Sequence, residues 1–241
     1  MQATQVINRR RRERWFYVAM SIAAVITVFA GFSRTYYLRP YFTAGPLMPL
    51  LHLHGLVFTS WLALFLTQTT LVAAHRTDIH RRLGILGGVI AALMIVIGPT
   101  TAVIRASQGA TPVPGVSPLS FLAIPLGDMF VFAILVGAGF YYRRRADVHK
   151  RLMLLATIAI LGAAIARLPF AIMQAGPPAF FGFTDVFILL CVLYDLITLK
   201  RVHRATILAG LLIVASQPLR LMLGGTHVWI AFAGWLTHFA R

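Results

Sequence analysis

LGILGGVIAALMIVIGPTTAVI (Leu83–Ile104) is a run of 22 residues without one charged side chain. As an α-helix rising about 1.5 Å per residue, a run of this length spans roughly 30 Å, the hydrocarbon thickness of a bilayer. Working outward, comparable runs occupy Trp15–Ser33, Met48–Ala74, Phe121–Tyr142, Leu152–Met173, Gly182–Leu199 and Thr206–Gly224. Backbone groups in lipid must find partners within their own segment, and runs this long do so only as helices. The expected fold is therefore an all-α polytopic bundle of seven transmembrane spans. A composition 59% apolar and 12% charged, with a mean hydropathy of +0.81, fits lipid rather than water as the solvent.

The expected organisation is a basic cytoplasmic segment over 1–14, one seven-helix domain over 15–224 and a short outer interfacial tail over 225–241. The first apolar run has a signal-like charged start, but no A-x-A cleavage pattern follows it, so it reads as a retained span. Cleavage there would leave six spans. The tail is too short to cross, and Trp229 and Trp235 are expected at headgroup depth. The lone Cys191 reads as core packing; one cysteine builds neither an intramolecular disulfide nor a thiolate metal site.

Orientation follows from the short loops, because cytoplasmic loops retain an excess of Lys and Arg. Sixteen of the 22 basic residues precede span one or follow spans two, four and six; only Arg34, Arg39, Arg105 and Arg241 fall on the other side. This predicts N-in and C-out topology in a cell inner (plasma) membrane. The formal charge of +16 is thus explained by topology, and nucleic acid is not an expected partner. The lipid bilayer is, and a membrane-protein partner or a homo-oligomer is compatible with such a chain.

Three cytoplasmic turns repeat one pattern: TDIHRRLG (77–84), ADVHKRLM (146–153) and KRVHRATI (200–207). The bundle is accordingly expected as three repeated hairpins plus one helix. His80, His149 and His203 occupy equivalent places, with Asp78 and Asp147 beside two of them. A positive-inside turn duplicated with its hairpin explains the pattern; so would three imidazoles converging on a metal or a proton entry point.

Ionisable residues inside spans are costly and mark candidate sites. Counted from the turn histidines, Asp128, Arg167, Asp185 and Arg220 fall at similar depth in the outer part of the membrane, while Asp195 lies in the cytoplasmic third. Two carboxylates and two guanidiniums at one level suggest a neutral ion-pair network, either holding helices in register or lining a cavity. Pro169 and Pro218 interrupt helical hydrogen bonding near that level. In LLHLHGLVFTSW (50–61), His52 and His54 point about 200° apart on a regular helix, so only one faces the bundle. His54 is expected to be that one, with Gly55 permitting the close approach of a partner or planar ligand.

No GxxxxGK[ST], HExxH, GxSxG or CxxC occurs, so no enzyme signature is present. HKRLMLLATIAIL (149–161) resembles the histidine-then-LM signature of a bacterial membrane family linked to cytochrome oxidase and haem assembly. HRRLGILG (80–87) resembles the turn of several uncharacterised polytopic families. The resemblance implies His149, His80 and His54 as the family-type histidines, and haem or a metal as cofactor. The leading expectation is a haem- or metal-associated redox or assembly protein, with His52, His54, His80, His149 and His203 as candidate ligands. An ion-coupled transporter using the Asp/Arg layer and a structural membrane subunit are the alternatives.

Overall fold

Seven helices long and apolar enough to cross a membrane form the molecule, a multi-pass membrane protein. The structure, a computed structural model, describes residues 2–42, 45–111 and 115–240. In chain order the helices are α1 (Gln2–Phe32), α2 (Pro49–Ala73), α3 (Thr77–Ser107), α4 (Pro118–Phe121), α5 (Ala123–Tyr141), α6 (Ala146–Ala159), α7 (Gly162–Ile165), α8 (Pro177–Leu199), α9 (Arg204–Gly224) and α10 (His227–His238). No strand occurs among the described residues.

The three hairpins form as expected: α2 with α3, α5 with α6, and α8 with α9, with α1 as the additional helix. Their turns hold only a few residues, and two of them close through left-handed backbone, at His75 (φ 62°) and Lys200 (φ 58°). We refer to this side of the bundle as the turn end and to the opposite side as the far end.

Apolar side chains cover both the interior and the outside. Ile85, Val96, Leu189, Ile197, Leu208 and Met222 stand exposed along the spans, an arrangement that water disfavours and lipid accommodates. The fifth span is the exception. Two thirds of it (67%) is buried, against 28–44% for the other six, so α6 is the central helix around which the rest are arranged.

One expectation needs correction. The fifth span ends at Ile165, not at Met173: α6 stops at Ala159, a single turn follows as α7, and residues 166–170 are irregular up to a 3-10 segment over Ala171–Ala175. Pro169 has no N–H to extend a helix and restricts the residue before it. The tail is a helix, α10, docked on α3, α4 and α9. Trp229 is buried there and donates its indole N–H to the Leu119 carbonyl at 2.8 Å, so only Trp235 stands at the surface.

Candidate functional site

At the turn end the repeated motifs stitch one hairpin to the next. His80 lies in the first turns of α3 and His149 in the first turns of α6, and this shared register brings their rings within 6.3 Å, edge to face. The Nδ1 of His149 lies 2.7 Å from the Gly139 carbonyl. A carbonyl only accepts, so Nδ1 carries a proton, and in the neutral ring Nε2 is the acceptor. His80 Nδ1 and Gln68 Oε1 are buried without a partner, while Gln68 Nε2 donates to the His80 carbonyl at 3.1 Å.

His203 makes no ring contact with them, so of the two readings of the repeated turn the three imidazoles do not form one group. It stands one position before α9 and caps that helix, its Nδ1 accepting from the Ala205 N–H at 3.1 Å. Its Nε2 faces Asp147 at 3.2 Å. Asp78 pairs with Arg76 in solvent instead.

Beside this turn lies an ion pair that sequence reasoning missed. Asp195 receives Arg151 through Nε at 3.1 Å and Nη2 at 2.5 Å, the Thr206 hydroxyl at 2.6 Å and the His203 N–H at 3.1 Å. Both partners are buried. The sequence places Arg151 among the basic residues of the turn, and its position next to Lys150 conceals that it points inward. A cavity of about 10 Å³, room for one water, borders Arg151, Asp195 and Thr206. A cleft of about 590 Å³ at this end is lined by Glu13, Asp147, Lys150, Arg201 and His203.

At the far end the anticipated four-residue charge layer is only half formed. Arg220 pairs with Asp128, its stem crossing Gly127 so closely that a Cβ there would meet Arg220 Cδ at 2.2 Å. Asp185 takes no arginine; it accepts from Gln217 at 2.7 Å. Arg167 has no carboxylate within 4 Å. Arg167 stands beyond the end of α7, in the irregular chain, where its guanidinium lies over the Phe32 ring.

His52 and His54 diverge as regular helix requires. His52 is exposed near Tyr36, while His54 is half-buried and stacks on Phe58 at 4.1 Å with its Nδ1 unpartnered. Gly55 makes room for the ring of Tyr36 rather than for a ligand, since a Cβ there would lie 2.3 Å from Tyr36 Cζ.

Among the described residues no group of three or more His, Cys, Asp or Glu could hold a metal. The nearest approach of two turn histidines is the His80–His149 pair, edge to face with centroids 6.3 Å apart. A hydrogen bond from the second ring nitrogen to a carbonyl, as His149 makes, is the usual support of a metal-binding imidazole. Haem fits less well. A porphyrin between these rings needs an open slot, and neither cavity described above borders the pair. His227 and His238 are exposed and make no ring contact with His52 or His54. No protein-family model, curated protein or solved structure matches the chain.

Proposed function

We propose that this chain is a metal-associated redox or assembly protein of the inner (plasma) membrane, N-in and C-out, which holds a transition-metal ion between His80 and His149. The observation that carries this reading is the juxtaposition of two imidazoles from separate hairpins, one with its tautomer set by Gly139 and the other with an unpartnered nitrogen. Gln68, held to the His80 carbonyl through its Nε2, would offer its unpartnered Oε1 as an oxygen donor. Imidazole ligands suit copper, zinc, iron and nickel, and a site with so few protein ligands leaves positions open for an exchanging partner.

The Asp128–Arg220 and Asp185–Gln217 contacts favour a structural part for the polar layer at the far end. A carrier exchanging protons there would need carboxylates less firmly engaged.

The test is metal analysis of full-length protein purified in mild detergent from cells supplied with copper, iron and zinc, with a visible spectrum in both redox states. Close to one metal per chain is expected, lost in His80→Gln and in His149→Gln but kept in His203→Gln. Metal-free protein that does not take up any of these ions on incubation would sink the reading. A Soret band would replace the ion with haem.

A further inference from the structure

Four spans begin or end around the cleft of about 590 Å³ at the turn end. Glu13 is the second residue of the first span, Asp147, Lys150 and Arg151 lie in the first turns of the fifth, Leu199 closes the sixth, and Arg201 and His203 lead into the seventh. Residues at span ends stand at the level of the lipid headgroups. Trp15, exposed two residues along α1 from Glu13, is a side chain of the kind that settles at that level. The volume of the cleft is that of a small-molecule site.

All but one of the lining side chains can carry charge, and the contacts among them decide which charge is left over. Lys150 pairs with Glu13, and His203 Nε2 faces Asp147 at 3.2 Å. Arg151, buried at the inner wall, is committed to Asp195 and, through Nη1, to the Asp147 carbonyl at 2.8 Å. The other three acidic residues of the chain are placed elsewhere: Asp78 with Arg76, Asp128 with Arg220 and Asp185 with Gln217. Arg201 therefore has no carboxylate partner among the described residues, and it is exposed. The cleft carries one uncompensated positive charge, with Lys150 in the same lining and Leu199 as its apolar edge. Lys200 and Arg204, both exposed, flank Arg201 in the same turn and strengthen the positive field there.

We propose that this cleft binds the phosphate of an anionic phospholipid headgroup, with Arg201 as the principal contact. One surplus guanidinium calls for a ligand of one negative charge, which a phosphodiester supplies, and the guanidinium fork matches two phosphate oxygens. Lys150 gives one of its three N–H donors to Glu13 and keeps two for the ligand. Basic pockets between helices on the cytoplasmic side of membrane proteins hold lipid phosphates in this way. A free phosphate ion offers the same oxygens but nothing for Leu199, and the headgroup level of the cleft favours the lipid. Neither His80 nor His149 lines the cleft, so the site stands or falls independently of that pair.

The test titrates full-length protein, stripped of lipid in dodecyl maltoside, with phosphatidylglycerol, phosphatidylcholine or inorganic phosphate, and reads the apparent affinity for each from thermal unfolding. Phosphatidylglycerol is expected to stabilise, and phosphatidylcholine, which has no net charge, to bind more weakly. Arg201→Gln is expected to weaken phosphatidylglycerol binding about tenfold, the worth of a charge-assisted hydrogen bond. Arg201 is exposed and makes no ion pair among the described residues, so its replacement leaves folding intact. Lys150→Gln, which leaves Glu13 unpaired in the cleft, is expected to weaken binding as well. Arg144→Gln, removing an exposed cation of the turn end outside the cleft, is expected to change nothing. Binding equal in wild type and Arg201→Gln overturns the proposal, as does phosphatidylcholine binding as tightly as phosphatidylglycerol. An Arg144→Gln loss as large as that of Arg201→Gln overturns it in favour of diffuse attraction, and stabilisation by inorganic phosphate without phosphatidylglycerol in favour of a free anion.

Discussion

The Arg151–Asp195 pair illustrates how a residue's role depends on where its neighbours put it. Both side chains are buried, and every oxygen of Asp195 is engaged by Arg151, Thr206 or the His203 amide. Removing one member strands the other as a buried charge, which costs about 3–5 kcal/mol, whereas replacing both with apolar residues of similar volume is close to neutral. Asp195→Ala is therefore expected to lower the unfolding free energy by that amount, and Arg151→Met with Asp195→Leu to recover most of it. Denaturation in detergent measures both; a double variant no better than the single one would show that Asp195 acts mainly through its hydrogen bonds to Thr206 and His203. Glu13–Lys150 is partly solvated, and breaking it should cost less than about 1 kcal/mol. His80, His149 and His203, equivalent in sequence, part ways for the same reason: two lie inside a first helical turn and one lies just before it.

Among the elements, α1 and the broken fifth span come closest. A Cβ on Gly31 would lie 2.1 Å from the Ala164 carbonyl oxygen, so backbone meets backbone there and neither side can yield cheaply. Gly31→Ala is expected to destabilise by about 1–3 kcal/mol through overpacking. Gly84→Ala, with nothing within 4 Å of the new Cβ, should be neutral or stabilise by up to about 1 kcal/mol. Thermal unfolding of both variants in detergent decides; equal effects would mean that the α1–α7 approach is not a close one. The fifth span was legible as a helix from its apolar run, but its end was not. Hydrophobicity continues through Leu168, Phe170 and Met173 although the backbone stops being helical after Ile165. Side-chain apolarity reports the solvent a segment prefers, and hydrogen bonding decides its conformation. Pro169 was the one local signal of that break.

Across the whole molecule, the distribution of Lys and Arg predicts the turn end in the cytoplasm. In a Cys191→Ala background, Arg144→Cys should react with an impermeant maleimide only after the membrane is opened, and Gln108→Cys should react in intact cells. The reverse pattern would invert the topology. Seven apolar runs, the short turns between them and the duplicated histidine motif were determined by the sequence itself, because span length, loop charge and repeat period are properties of the chain in one dimension. Partnership was not. Which carboxylate Arg220 reaches, why Asp185 settles on Gln217, and why Arg167 is left over the Phe32 ring depend on how each helix is rotated and which helices are neighbours. One residue of shift turns a helical side chain by about 100°, so depth along the membrane is readable from spacing while facing is decided only when the bundle packs.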